Sequence, residues 1–225
     1  MTLATDLRSG SSSLVALAAR DLAAFWAQIA VYEAAAYAGD AGAAATLREA
    51  LMDVLPSLAG SYQDAAISLA ADLYDLERLR LDISGDYRAP GIVIPDGGAA
   101  LAGWALKEAV TSEGLRGLVA GGLTKRIMQA ANRTVMGAAT GDRAATGWQR
   151  VARTGGCDFC RMIAGRGAVY TRESADFAAH GDCLCVATVA WDGREIPVKP
   201  YRVSPRGTAA DTSAVREWIA THDIP

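Results

Sequence analysis

Histidine and cysteine are scarce in this chain of 225 residues: there are two of the first and four of the second. That scarcity excludes much. With two histidines the choices for a Ser-His-Asp triad are few. No G-x-S-x-G elbow, H-E-x-x-H helix or Gly-rich phosphate loop occurs either. Aromatic residues are only 7% of the chain, against 51% hydrophobic residues in all. The core must therefore be built from alanine and aliphatic side chains, a composition that suits helices. A net charge of −3 leaves no overall basic footprint for nucleic acid. The N-terminal MTLATDLRSGSSS lacks the basic and apolar regions of a secretory signal, so cytosolic synthesis is expected. The longest charge-free runs, such as Leu22–Tyr32, reach about half of the ~20 residues a bilayer requires, so no membrane partner is expected.

What the chain does hold is concentrated. Cys157, Cys160, His180, Cys183 and Cys185 form the pattern C-x2-C-x19-H-x2-C-x-C, which contains every cysteine of the protein. A Cys-x-x-Cys turn points two thiolates at one centre, and a second group of soft ligands completes a tetrahedron, as in structural zinc sites. Five candidates compete for four positions. Cys157, Cys160, His180 and Cys183 are the first choice, with Cys185 as the alternate sulfur. A closed set argues against a catalytic zinc, which keeps an open position.

Three rivals stand beside the zinc reading. Disulfides need an oxidising compartment, which a particle released from a cell would meet. A zinc deaminase needs H-x-E before P-C-x-x-C, and here the order is reversed. A redox C-x-x-C needs a helix opening at its first cysteine within a βαβ unit, whereas Thr154-Gly155-Gly156 reads as a loop.

Periodicity predicts the rest. Residues 1–12 read as a loose polar arm. Leu14, Leu17, Leu22, Phe25, Ile29, Tyr32 and Ala36 share a helical face, and Gly39 ends that helix. A second helix is expected over Ala43–Val54, and a third starts at Pro56 with a stripe from Leu58 through Leu69 to Leu79. Ser84–Asp96 is a loop. Helices over Gly97–Thr111 and Glu113–Gly137 follow, the latter weakened by Gly114, Gly117, Gly121 and Gly122 and so either broken or closely packed. Beyond Thr140 the β-prone pieces Ala168–Thr171 and Val186–Trp191 appear. The expected class is α+β: a helical domain over 1–140, a zinc-stapled module over 141–200, then a linker and short helix over 201–225. A module of about 60 residues has too small a core to be stable alone, which gives a metal its role.

One local charge excess stands out. Lys125, Arg126, Arg133, Arg143, Arg150 and Arg153 face a single acid, Asp142, in their stretch. These are candidate contacts to DNA phosphates or an acidic partner, although such a run is usually a solvated face. Trp148, Trp191 and Trp218 read as packing anchors, and His222 as an exposed tail residue.

Gly147–Trp191, with G-W-Q-R-V-A-R-T-G-G-C-D-F-C, then G-A-V-Y and H-G-D-C-L-C-V-A-T-V, resembles the C-terminal part of MuF-like minor head proteins of tailed bacteriophages, in the form found in actinobacteriophages. Cys157, Cys160, Gly167, Tyr170, His180, Cys183 and Cys185 match position by position. Gly181 stands where that family usually has Pro, and Leu184 where it usually has Arg. The resemblance covers about 45 residues well and the Ala-rich helices loosely. It implies a minor capsid or head-morphogenesis protein, inside the head near the portal, acting in assembly or DNA ejection. The expected partners are the portal protein, the capsid interior and packaged DNA, with structural Zn2+ and no small-molecule substrate. The alternative from another class is a zinc-dependent hydrolase or a nucleic-acid-processing enzyme using the basic stretch. A metal bound by four protein ligands would exclude the hydrolase.

Overall fold

The computed structural model describes residues 2–165, 177 and 183–191. Along them run α1 (Leu3–Tyr37), α2 (Ala41–Arg80), α3 (Gly98–Glu108), α4 (Ser112–Gly141), β1 (Gly147–Val151), α5 (Asp158–Ala164) and β2 (Val186–Ala190). The fold is mainly helical with a small two-stranded sheet, the α+β class that the composition implies. Ala168–Thr171, the linker and short helix expected over 201–225, Trp218 and His222 lie outside the described residues.

α1 and α2 form an antiparallel hairpin. Gly39 turns the chain with φ +98°, and the N–H of Asp40 donates to the Ala35 carbonyl at 3.0 Å. That left-handed residue is the stop signal visible in the sequence. Asp40 then caps α2, accepting from the N–H groups of Gly42 at 2.8 Å and Ala43 at 3.0 Å. Arg80 pairs with Asp6 at 3.1 Å, which places the end of α2 beside the start of α1. α4 lies against both. Near its start Arg116 pairs with Glu33 of α1, and just past its end Asp142 pairs with Arg78 of α2. It therefore runs parallel to α2 and antiparallel to α1. Alanines fill the interfaces: Ala59, Ala66, Ala70, Ala102, Ala105, Ala130, Ala131 and Ala138 have no exposed surface. Small side chains let helix axes approach closely, so dispersion contacts replace the bulk that aromatics would supply.

Several local expectations are corrected. The polar arm is helical: α1 starts at Leu3, capped by Thr2, because Leu3, Leu7 and even Ser11 are buried against the bundle. Pro56 lies inside α2 and does not start a helix. Proline removes one hydrogen bond there, but the residue whose carbonyl loses its partner, Met52, is exposed, so water can replace the donor. The buried face of α2 carries Leu55, Ala59, Gln63, Ala66, Ala70, Tyr74 and Glu77, while Leu76 and Leu79 of the expected stripe are exposed. On α1, Leu17 and Tyr32 of the expected core face are likewise exposed. α4 is unbroken. Close packing holds at two of its glycines: a Cβ at Gly122 would lie 2.2 Å from a Leu101 methyl and one at Gly137 would lie 2.8 Å from Ile92, whereas at Gly117 nothing lies within 4 Å.

α1 is long and apolar enough to cross a membrane by length and composition alone, with mean hydropathy 1.5 in its best window. In the bundle, Leu22, Phe25 and Trp26 are in the core, and Glu33 is buried in its ion pair.

β1 and β2 pair antiparallel, with Trp148 opposite Val189 and Arg150 opposite Ala187. The sheet packs on α4 and α1, at the end where α1 begins and α4 stops. Its apolar residues join the same core as the helices. β1 was not anticipated from its sequence, G-W-Q-R-V, since one buried side is Trp148 and Arg150.

Candidate metal centre

Two segments deliver three sulfurs to one point. α5 supplies Cys160, and the segment entering β2 supplies Cys183 and Cys185. Their Sγ atoms all lie within 4.8 Å of one another and all three residues are buried. Cys160 Sγ and Cys183 Sγ are 3.6 Å apart. A tetrahedral zinc with bonds of about 2.3 Å places its sulfurs about 3.8 Å apart, whereas a disulfide holds them at about 2.05 Å. The four cysteines are all free thiols. The donor set fits a thiophilic metal.

The set differs from the sequence's first choice. Cys157 is exposed, at the N-cap of α5, and stands outside the group. Cys185, read as the alternate, is inside it. The extended C-x-C entering β2 puts Cys183 and Cys185 on one side of the chain, and both are buried. Thr154-Gly155-Gly156 is the loop that the sequence implies, and α5 opens just after it with Cys157 as its N-cap. Among the described residues the strand pairing is antiparallel, with no βαβ unit around the C-x-x-C. His180, Gly167 and Tyr170 lie outside the described residues.

Electrostatics shows why this trio suits a cation. Three thiolates buried together repel one another. Hydrogen bonding to Cys183 and then Cys185, with burial, pushes the Cys160 thiol far up. Cys185 is held far below the usual thiol range, because it accepts from Cys160 and Cys183 and feels the Arg150 charge. Without a metal, the trio cannot ionise together at low cost. A divalent ion would displace the thiol protons.

Two further residues hold the site, and neither was singled out as such in the sequence. Asn132, fully buried on α4, donates to the Cys185 carbonyl at 3.1 Å and accepts from the Ala187 N–H at 2.7 Å. Arg150 reaches Cys160 Sγ with a guanidinium N–H at 3.6 Å, and its charge sits 3.8 Å from the Phe177 ring centre. Three thiolates and a divalent ion leave one negative charge, which Arg150 balances. Both residues break an otherwise apolar burial pattern, and that is the only signal the sequence carries.

The basic stretch does not form one surface. Arg150 is 3% exposed and belongs to the sulfur site, so it is corrected from a surface contact to a buried one. Arg126 spends its donors on the carbonyls of Asp96, Gly97 and Gly122, which closes the loop onto the start of α3. Arg133 is half-buried on α4. Lys125, Arg143 and Arg153 are exposed.

The family model described as VG15 protein matches residues 2–206, which include all of the described fold. The chain belongs to the VG15 protein family. It is therefore a phage protein. No curated protein and no solved structure matches it.

Proposed function

We propose that this phage protein is a minor capsid protein of the MuF-like kind, acting inside the head near the portal in assembly or DNA ejection, with a structural zinc. The observation that carries the reading is the family match over residues 2–206, joined to the C-x2-C … H-x2-C-x-C segment that resembles minor head proteins. The helical bundle supports it. Its outer surface is broad, Ala-rich and carries exposed Leu17, Val31, Tyr32 and Trp104, suited to packing against other helices. The chain acts by binding the portal and capsid interior, not by turning over a small molecule.

Cys160, Cys183 and Cys185 would hold the zinc, and His180, three residues before Cys183 in sequence, is the fourth ligand that the spacing offers. The zinc would supply cross-linking: it ties α5 to β2 in a region whose own core is small. Asn132 and Arg150 orient and neutralise the cluster.

Mass spectrometry of purified virions tests the reading. The protein is expected in mature particles at few copies. Particles lacking it should have heads of normal appearance and eject DNA poorly. Absence from virions, or a deletion that leaves assembly and ejection unchanged, would overturn it.

A further inference from the structure

Beyond β1 the chain folds around an open cavity of about 550 Å³, lined by Gln149 to Gly156 together with Arg161, Ala164 and Gly165. Its lining contains Arg150, Arg153 and Arg161 and no carboxylate. A fourth arginine lies behind it. Arg8 of α1 donates to the Val151 carbonyl at 3.1 Å and the Ala152 carbonyl at 3.1 Å, fixing the backbone of the cavity floor. Its Nε is buried without a partner. Among the described residues, the ion pairs engage Arg78, Arg80, Arg88 and Arg116, and not Arg8, Arg153 or Arg161. Arg153 and Arg161 thus line the cavity, and among the described residues neither is in an ion pair. Two guanidinium groups at one concavity favour an anion with several acceptor oxygens. The loop leaves room for one. Gly155 has φ +70°, and a Cβ built on it meets nothing within 4 Å.

We propose that this cavity binds a phosphodiester group of the nucleic-acid backbone, with Arg153 and Arg161 as the contacting residues and Arg8 and Arg150 as positioning residues. The choice of nucleic acid as the source of the phosphate rests on the minor-head reading, which places the chain beside packaged DNA. Contact is to the backbone and carries no sequence preference.

The test uses the full-length, metal-loaded protein and a short labelled DNA duplex, with anisotropy read between about 50 and 200 mM salt. Arg153→Glu/Arg161→Glu should bind at least tenfold more weakly. It should also lower the slope of log K against log salt by about 2, the number of phosphate contacts removed. Arg153→Lys/Arg161→Lys should retain most of the affinity, which separates charge from folding. Arg20→Glu/Arg48→Glu, an equal charge change at two exposed sites elsewhere, controls for net charge. No duplex binding at the lowest salt overturns the proposal. So does an equal loss in both reversed pairs, or binding of inorganic phosphate without binding of duplex. Detection of the protein in virions is read separately: its presence with no DNA binding defeats the cavity assignment alone. DNA binding through Arg153 and Arg161 by a protein absent from virions defeats the head reading alone.

Discussion

Asn132 brackets the backbone on either side of Val186: its amide donates to the Cys185 carbonyl at 3.1 Å, and its oxygen accepts from the Ala187 N–H at 2.7 Å. One α4 side chain thereby sets the direction from which Cys185 enters the sulfur cluster. Asn132→Ala leaves a buried carbonyl and a buried N–H unpaired, each costing about 1–3 kcal/mol. The expected effect is a loss of about 2–4 kcal/mol in denaturant unfolding, with metal affinity reduced about 10- to 100-fold, as for other residues that orient ligands. Unchanged metal affinity would show that the cysteines are placed without it.

The cysteines should not behave alike. Cys160→Ser, Cys183→Ser and Cys185→Ser each remove a sulfur from the buried trio and should each abolish stoichiometric metal binding. Cys157→Ser should retain about one equivalent, since Cys157 lies outside the trio and is exposed. Elemental analysis of reduced protein measures this directly. Chelation should expose the segment after β1 to protease while α1–α4 resist, because binding energy is folding energy only where ligands are contributed. A Cys157→Ser protein that loses its metal as completely as Cys160→Ser would refute the assignment.

Much of this was legible in the linear chain, and the exceptions have physical causes. The helical class follows from abundant alanine and 3.6-residue spacing, and the α1–α2 turn from Gly39 with Asp40. Clustering of every cysteine marked the metal site. Which sulfurs converge was not legible, because spacing alone does not say that Cys157 occupies an exposed cap outside the trio. The phase of α2 was misread because its buried face carries Gln63 and Glu77 while Leu76 and Leu79 face solvent. Hydrophobicity patterns assume that large apolar residues are inside, and an Ala-lined bundle violates that. Asn132 and Arg150 look like ordinary polar residues until the strand they serve is in place.

Gly98 and Gly103 make a paired prediction within one helix. A Cβ at Gly98 would lie 2.4 Å from the Leu55 carbonyl oxygen and 2.4 Å from the Pro56 nitrogen. Both are backbone atoms of α2, so neither can swing aside. Gly98→Ala should destabilise by about 1–3 kcal/mol through forced separation of α3 from α2. At Gly103 nothing lies within 4 Å, and alanine should stabilise by about 0.5–1 kcal/mol through helix propensity. Thermal midpoints read both, at roughly 2–4 °C per kcal/mol for a chain of this size. Equal shifts of the same sign would contradict the packing described here.

Arg78 and Asp142 provide the last test, because their ion pair joins three elements. Both side chains are nearly inaccessible, at 5% and 3% exposure. Asp142 also accepts from the Tyr74 hydroxyl at 3.1 Å and the Ala144 N–H at 3.0 Å. Burial, then the Asp142 charge, raises the Tyr74 phenol far above its usual range, so Tyr74 stays a donor well into alkaline solution. Arg78 donates to the Ser84 carbonyl at 2.8 Å and lies 5.8 Å from the Trp191 ring centre, just past β2. Removing one partner leaves the other charge buried and unpaired, at a cost of about 3–5 kcal/mol. Arg78→Met and Asp142→Asn should each lose roughly that much. The double variant should lose clearly less than their sum, since no lone charge remains. Arg78→Met should also loosen the end of the sheet, because the Trp191 contact goes with it. Hydrogen exchange at the Thr146 amide, which donates to the Ala190 carbonyl at 2.8 Å, should then quicken before global unfolding. Additive single losses with unaltered exchange at Thr146 would mean that the pair is a local contact and does not clamp the sheet to the bundle.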